Sequence, residues 1–237
     1  MNAEDVAAVI AEPVLGEGGF IVPPPDYMAR IKEICERHGI LLIADEIQTG
    51  FGRTGTWFAM EHWKVAPDIT ATAKALGAGL PISGITGRQD VMDSVHPSGV
   101  GSTFGGNPIA CRAGLAVLDI IENEDLLHRA TVLGARMRER FKVLQEHYPV
   151  IGDVRGIGAM AAMELVEDRH TKKPATDFAK VFRAKLFENG VVNVGAGTYH
   201  NVVRILVPLT IEEEILTRGL DIVEETFAQV SAAAGGG

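Results

Sequence analysis

A lysine in a run of small residues is the first feature of this sequence that suits chemistry. Lys74 stands in A-T-A-K-A-L-G-A-G-L-P, whose small and apolar residues would give an ammonium group little solvation and so favour the neutral amine. A neutral amine can form a Schiff base with an aldehyde and, once released, can move a proton. Alone the signal is weak, because most lysines beside a glycine turn are solvated surface groups.

An aspartate ends an apolar run earlier in the chain. Asp45 closes I-L-L-I-A-D, where a buried carboxylate can pair with a protonated pyridine nitrogen, although an aspartate at such a place is often only a turn or cap residue. Gln48 can donate a hydrogen bond to a phenolic oxygen, but a glutamine in a loop is usually solvated. The acid and the lysine are separated by the interval of one βαβ crossing, and together they favour a shared site.

Asp45 and Lys74 each follow a predicted strand, in a part of the chain where strands and helices alternate. Continuous apolar runs, typical of strands buried on both faces of a parallel sheet, cover residues 6–11, 40–44 and 68–73, and a helix runs from Asp26 to Gly39. In open α/β sheets, ligands bind beyond the carboxyl ends of the strands. We therefore expect Glu12, Asp45 and Lys74 to line one crevice.

The second half of the chain has a different pattern of predicted helices and strands. After Asn107-Pro108 the pattern predicts one long helical region from Ile109 to about Tyr148. Further strands are expected at residues 160–166, 191–194 and 202–207, and further helices at 177–188 and 211–230. The sequence thus predicts an α/β domain over residues 1–125 and a small α+β domain over residues 126–237.

Composition excludes several classes of function. The chain has 237 residues, of which 46% are hydrophobic, and its net charge of −9 comes from scattered acids, so neither nucleic acid nor a membrane surface is an expected partner. Cys35 and Cys111 indicate no disulfide framework, and His62 and His96 lack ligand-spaced partners for a metal site. The first residues are acidic, which is the wrong order for a secretory signal, and the apolar runs are too short for a bilayer, so a cytoplasmic location is expected.

Five segments of the chain carry a resemblance to a known family. They are I-A-E-P-V-L-G-E-G-G-F, L-L-I-A-D-E-I-Q-T-G-F-G-R-T-G, A-T-A-K-A-L-G-A-G-L-P, S-T-F-G-G-N-P-I-A-C and V-R-I-L-V-P-L. In order and spacing they resemble the class III aminotransferases, which are pyridoxal-phosphate-dependent enzymes of fold type I, and most of all the 4-aminobutyrate enzymes. The resemblance covers essentially the whole chain. It implies the C-terminal part of the large domain, a mostly parallel sheet with helices, followed by the small domain.

The resemblance also implies a role for each residue that would contact pyridoxal phosphate. Lys74 would carry the cofactor as a Schiff base, and Asp45 would pair with its pyridine nitrogen. Gln48 would contact the phenolic oxygen, and Ile47 would pack against one face of the ring. Thr103 would reach across a dimer interface to the phosphate of the partner subunit's cofactor, which implies a homodimer or a dimer of dimers.

Three further residues resemble family positions that serve the substrates. Arg204 would receive the α-carboxylate of glutamate or 2-oxoglutarate, because a guanidinium fork matches a carboxylate. Glu17 would neutralise that arginine when an ω-amino substrate, which has no α-carboxylate, occupies the site. Glu12 would hold Gln48 in place without itself contacting the cofactor. Without the resemblance, an arginine in an alternating strand is more often a half-exposed surface residue.

The reaction implied is transfer of the amino group of 4-aminobutyrate to 2-oxoglutarate, giving succinate semialdehyde and glutamate. Alternative donors are ornithine, diaminobutyrate, 5-aminovalerate and polyamines, and a non-catalytic fragment that serves as an interaction module is a further alternative. Family members are longer at the N-terminus, where they carry the main phosphate-binding turn, so we expect this chain alone to be incomplete and nearly inactive. An unrelated nucleotide-binding domain is disfavoured, since no G-x-G-x-x-G or G-K-[ST] loop follows a predicted strand.

Overall fold

The computed structural model describes residues 2–235, which form two compact units. The first unit comprises residues 2–14 and 23–128, and the second comprises residues 15–22 and 129–235. A short segment from the first part of the chain therefore belongs with the C-terminal part. The predicted domain boundary between residues 125 and 126 stays a prediction.

The first unit is built on a four-stranded sheet in the order β1-β2-β3-β4. The strands are β1 (Ala8–Ala11), β2 (Leu41–Asp45), β3 (Ile69–Thr72) and β4 (Gly84–Gly87). The first three are parallel, which confirms the predicted α/β pattern, and β4 is antiparallel to β3. The sequence did not predict β4, because G-I-T-G is short and begins and ends with residues of low strand propensity.

Helix α1 (Tyr27–His38) covers one face of this sheet. Met28 and Cys35 lie seven positions apart on one side of the helix and pack with Leu42 and Ala44 of β2 in the buried core. The helix ends at Gly39, whose φ of 67° suits glycine and whose N–H bonds to carbonyls of the last turn. Sequence and structure agree on this element because both the apolar stripe and its stop signal are local.

A buried carboxylate fixes the edge of the sheet at which β3 begins. Asp68 is 2% exposed and accepts hydrogen bonds from Leu42 N at 2.8 Å, Lys32 Nζ at 3.0 Å and Arg88 Nη1 at 2.8 Å. Burial alone would raise the pKa of Asp68, yet these hydrogen bonds outweigh it and hold the pKa below its ordinary value. The ionised side chain thus ties α1, β2 and the end of β4 together.

The long helix predicted from residue 109 to 148 is wrong, because the structure has two helices there. A short helix, α2 (Gln89–Met92), precedes α3 (Pro108–Asn123), and α4 (Leu126–His147) follows it. Asn107 caps α3 by accepting a hydrogen bond from Ala110 N at 2.9 Å. Asp125 has a φ of 48°, a left-handed conformation that a continuous helix cannot contain and that aspartate tolerates better than most residues.

The second unit contains an antiparallel sheet in the order β5-β6-β9-β8, with β7 paired to β6. Its strands are β5 (Ile151–Ile157), β6 (Met160–Asp168), β7 (Lys173–Pro174), β8 (Val194–Ala196) and β9 (Val202–Ile205). Helices α5 (Thr176–Glu188) and α6 (Glu213–Gly235) complete it, so the predicted α+β pattern is confirmed. The rings of Phe182 and Phe227, both fully buried, have centroids 4.1 Å apart and join α5 to α6.

The strand predicted at residues 191–194 is wrong in its position. Val191 N donates to Leu186 O at 2.8 Å and Gly190 has a φ of 93°, so these residues close the C-terminal turn of α5, and β8 begins only at Val194. The structure also adds β5, which the sequence did not predict because Gly152 and Gly156 interrupt its apolar alternation. Between residues 2 and 235, no helix combines the length and apolar character needed to cross a membrane.

Candidate active site

The parallel strands of the first unit end side by side, and each is followed by a polar residue. The register pairs Ala11 with Ala44 and Asp45 with Ala71, so the carboxyl ends of β1, β2 and β3 share one edge of the sheet. Glu12 comes directly after β1, Asp45 ends β2, and Lys74 follows β3 after one residue. The structure therefore brings all three to the edge at which ligands of open α/β sheets bind.

Asp45 is partly buried and has spare hydrogen-bonding capacity. Its Oδ1 accepts a hydrogen bond from Ile47 N at 3.0 Å, which fixes the side chain over the turn that follows β2. Its Oδ2 makes no hydrogen bond with any residue that the structure describes. One carboxylate oxygen is thus oriented and the other is available to a ligand.

Lys74 begins a short 3-10 helix (Lys74–Gly77) and has an unusual backbone conformation. Its φ is 45°, a left-handed value that costs a residue with a side chain about 1–3 kcal/mol and that is enriched at active sites. The side chain is exposed, so the expectation that apolar neighbours strip solvent from its amine is wrong for this chain. Within residues 2–235 the amine makes no hydrogen bond or ion pair, so no partner has to be displaced before it meets a ligand.

A cleft of about 810 Å³ opens beside these strand ends. Ile47, Ala71 and Thr72 line it near the carboxyl ends of β2 and β3, and residues 100–102 and 104–107 line it as well, whereas Lys74 and Asp45 are not among its lining residues. Gln48 follows Ile47 and is partly buried, and its amide makes no hydrogen bond among the residues described. Thr103 lies between two lining residues, Ser102 and Phe104, but does not itself line the cleft, and it is exposed.

Glu46 is a residue of this region whose role the sequence did not reveal. Its side chain is fully buried and accepts hydrogen bonds from Ala59 N at 3.0 Å, Met60 N at 2.8 Å and the Thr49 hydroxyl. Burial raises the pKa of Glu46, against these hydrogen bonds, which lower it. Glu46 thereby fixes the loop that carries Ile47. The only sequence signal was an acid three residues before a threonine, which is common in loops.

The second unit holds Arg204, which is on the central strand β9 and is not a surface residue. β9 pairs with β6 through Ala162 and with β8 through Val194, both opposite Arg204, whose side chain is 5% exposed. Its Nη1 donates to Gly16 O at 2.8 Å and its Nη2 donates to Gly195 O at 3.2 Å. These bonds fix the plane of the guanidinium group.

Two side chains from residues 15–22 complete the surroundings of Arg204. Glu17 Oε1 accepts a hydrogen bond from Arg204 Nη1 at 2.9 Å, and the ring centroid of Phe20 lies 5.4 Å from Arg204 Cζ. The Glu17 side chain is 77% exposed although its partner is buried. The pair therefore joins a solvent-exposed carboxylate to a buried guanidinium group, which also donates to two backbone carbonyls.

The two groups of residues lie in different units. Lys74, Asp45, Ile47 and Gln48 belong to the first unit, as do Glu12 and Thr103, and Glu17 and Arg204 belong to the second. Glu12 is partly buried and has an interaction within the structure. Within residues 2–235, no three acidic, histidine or cysteine side chains form a group that could hold a metal ion.

Comparisons with known proteins identify the family. The model of the family described as aminotransferase class-III matches residues 1–227. The chain is 49% identical over 228 residues to the 5-aminovalerate aminotransferase DavT of Pseudomonas putida, covering 96% of this chain and 53% of that protein. It is also 49% identical over 224 residues to the 4-aminobutyrate aminotransferase GabT of Escherichia coli, covering 94% and 53%.

A solved structure supports the same assignment. An amine transaminase from an uncultivated Pseudomonas species, in its PLP-bound form, matches with a TM-score of 0.89 and 41% identity over 96% of this chain and 53% of its own. The chain spans about half the length of the curated relatives it matches. The predicted fold type and cofactor class are thereby confirmed. The chain belongs to the class III aminotransferases, a family of fold type I that depends on pyridoxal phosphate.

Proposed function

We propose that this chain takes part in the transfer of an amino group from an ω-amino acid to 2-oxoglutarate, with pyridoxal phosphate attached to Lys74. The observation that carries the proposal is the ion pair of Arg204 and Glu17, in which one side chain is buried and the other is exposed. A buried guanidinium group with an exposed, displaceable carboxylate suits an enzyme that must accept substrates both with and without an α-carboxylate.

The chemistry of the free side chains fits pyridoxal phosphate. When bound, this cofactor supplies an aldehyde for an amine and a ring that withdraws electrons from the substrate carbon. Lys74 offers an amine without a partner, Asp45 an unbonded carboxylate oxygen, and Gln48 an unbonded amide, within the part of the chain that the structure describes. An amine, an acid and an amide are the groups needed for the aldehyde, the protonated ring nitrogen and the phenolic oxygen.

The proposed roles in the first unit follow from this fit. Asp45 would hold the protonated ring nitrogen of the cofactor, Gln48 would donate to its phenolic oxygen, and Ile47 would pack against its ring. Glu12 supports Gln48. Lys74 would form the covalent bond to the cofactor's aldehyde, and its Nζ, when not so bonded, would hold and move the proton that amino transfer requires.

The proposed roles in the second unit concern the choice of substrate. When glutamate or 2-oxoglutarate binds, Arg204 receives the α-carboxylate and Glu17 rotates into solvent. When an ω-amino acid binds, Glu17 stays paired and neutralises the buried charge, which would otherwise lack an anion. The two half-reactions therefore differ in whether the ion pair between Arg204 and Glu17 is formed.

The proposed donor is 4-aminobutyrate, giving succinate semialdehyde, and the second candidate is 5-aminovalerate. Both donors lack an α-carboxylate, and the relatives named for them are equally identical to this chain at 49%. Ornithine, diaminobutyrate and polyamines stay alternatives from the family. We favour 4-aminobutyrate because the segment V-R-I-L-V-P-L around Arg204 resembles the 4-aminobutyrate enzymes.

The proposed partner of the exposed segment around Thr103 is a second copy of the same chain. Thr103 stands in an exposed segment next to Phe104, which is 81% exposed, and Ile109 is 72% exposed. Large apolar side chains that solvent reaches to this degree are typical of interfaces. A dimer would bring Thr103 to the phosphate of the partner's cofactor, and sedimentation of the purified protein would test the association.

Single-turnover absorbance measurements test the proposed function. Because this chain alone is expected to be nearly inactive, it is joined to the N-terminal part of a class III relative, loaded with pyridoxal phosphate and mixed with 4-aminobutyrate, 5-aminovalerate or glutamate, and the change of the cofactor spectrum is followed. We expect rapid change with glutamate and with one ω-amino acid, and the faster of the two ω-amino acids identifies the donor. A spectrum that none of the three amines changes would contradict the proposal and favour the non-catalytic alternative.

A further inference from the structure

Residues 15–22 form a closed loop whose backbone is held at several points in the second unit. Leu15 N donates to Ile21 O at 3.1 Å and Gly19 N donates to Gly16 O at 3.1 Å, which closes the turn. Gly197 N donates to Glu17 O at 2.9 Å, and this bond ties the loop to the end of β8. The loop is thus fixed on both sides of Glu17.

The turn is strained where it leaves Glu17. Gly19 has a φ of 104° and the next residue, Phe20, has a φ of 55° although it carries a bulky side chain. A Cβ at Gly19 would lie 3.0 Å from Arg155 Nη2 and from both terminal carbons of Val202. Such a conformation persists only where surrounding contacts hold it.

Arg155 supplies one of these contacts from β5. Its Nε donates to Gly19 O at 2.8 Å, and its Nη1 donates to Asp153 at 2.9 Å and to Glu164 at 2.5 Å. Asp153 pairs with Glu164 in the register of β5 and β6, so both acids accept hydrogen bonds from the guanidinium group on one face of the sheet. The Arg155 side chain is 15% exposed. A charged donor held in this way is a rigid support for the Gly19 carbonyl.

From these contacts we infer that Arg155 is a positioning residue for Glu17. It holds the backbone of residues 16–20 in place, so that Glu17 leaves and rejoins Arg204 by rotation of its side chain alone. The inference rests on the proposed function, since it concerns the ion pair that distinguishes the two half-reactions. Arg155 itself touches neither Glu17 nor Arg204 through any bond between the residues described.

The test is Arg155→Gln in the whole protein loaded with pyridoxal phosphate, with Arg140→Gln as the matched control. Arg140 also bonds two acids, Asp221 and Glu224, but it joins α4 to α6 and has no bond to residues 15–22. Arg155→Lys is a second variant. It keeps a positive charge beside both acids, so it folds even if they cannot be left unpaired, but it lacks the fork that also reaches Gly19 O.

Amide hydrogen exchange provides a measurement that does not depend on activity. In Arg155→Gln and Arg155→Lys we expect exchange at Leu15, Gly19 and Gly197 to accelerate about tenfold, because the carbonyl of Gly19 loses a charged donor. The same amides stay unchanged in the Arg140 variant. Unchanged exchange at these amides in both Arg155 variants would overturn the inference, as would an equal acceleration throughout β5 and β6.

The two half-reactions provide the functional measurement. In the Arg155 variants we expect kcat/KM for 4-aminobutyrate, divided by kcat/KM for glutamate, to fall about tenfold. The reason is that only 4-aminobutyrate binds while Glu17 stays paired with Arg204. A merely structural role would lower both values by one factor, and that result would overturn the inference. If the unsubstituted protein transfers no amino group, the proposed function fails, and the exchange data alone decide whether Arg155 holds the loop.

Discussion

The candidate residues of the two units differ in how firmly the protein holds their reactive groups. In the first unit, the Lys74 amine and the Gln48 amide make no hydrogen bond within residues 2–235, and Asp45 uses one oxygen only. In the second unit, the Arg204 guanidinium donates to two carbonyl oxygens and to Glu17. The first set is available to a ligand at once, whereas the second must exchange a partner before it can bind one. Removing a residue should therefore have different consequences in the two units.

The largest expected effect is that of Lys74→Ala. It removes the group proposed to form the covalent bond to the cofactor and to move the proton, and we expect activity to fall by about 10⁴-fold or more with every amine. Stability should hardly change, because the amine has no partner to leave behind in the part of the chain described. The measurement is the absorbance spectrum with pyridoxal phosphate, followed by borohydride reduction and mass spectrometry.

Lys64→Ala is the matched control for this prediction. Lys64 is also exposed, also in the first unit, and has a φ of 54°, so the substitution changes a lysine in the same backbone conformation. We expect its spectrum and activity to match those of the unsubstituted protein. Retention of a borohydride-stable adduct in Lys74→Ala, or its loss in Lys64→Ala, would show that the first unit is not organised around Lys74.

The next effect is that of Arg204→Gln in the second unit. Glutamine cannot offer the charged fork that a carboxylate needs, so kcat/KM for glutamate should fall about 100-fold. The loss with 4-aminobutyrate should be much smaller, which distinguishes this residue from Lys74. Arg218→Gln removes an exposed arginine paired with Glu225 and serves as the control. Equal losses with both amines would mean that Arg204 supports the sheet and does not select the substrate.

The difference between the units also explains what the sequence could predict. Lys74 and Asp45 follow buried strands, and a strand end is a local signal that apolar runs and their punctuation reveal. The pairing of Arg204 with Glu17 joins residues 187 positions apart, and no local pattern predicts which strand is central. The family resemblance indicated this pair, but not that residues 15–22 belong to the second unit. Glu46 was not predicted because two of its three partners are backbone atoms, and Arg155 was not predicted because the carbonyl of Gly19 lies 136 positions away along the chain.

Asp68→Asn tests whether the first unit is held together away from its open edge. Asparagine cannot satisfy both Lys32 and Arg88, so we expect unfolding free energy to fall by about 2 kcal/mol at pH 7. The folded pKa of Asp68 lies below its ordinary value of 3.8, so its stabilisation is present above that value and is lost as pH falls through the folded pKa. Urea unfolding in a series from pH 7 downwards should show the two proteins converging progressively as the pH falls below 3.8. A difference independent of pH would contradict the role of the ionised form.

The smallest change in rate is expected for Glu17→Gln. The amide keeps the shape and can still accept a hydrogen bond from Arg204 but carries no charge, so the buried guanidinium group stays unneutralised when an ω-amino acid binds. Because the Glu17 side chain is 77% exposed, water screens part of the interaction, and we expect only about a tenfold loss with 4-aminobutyrate. With glutamate, which displaces the carboxylate anyway, the rate should be unchanged or slightly higher. Single-turnover rates with both amines measure this, with Glu225→Gln as the exposed control, and a loss with glutamate would mean that Glu17 holds Arg204 in place instead of yielding to the substrate.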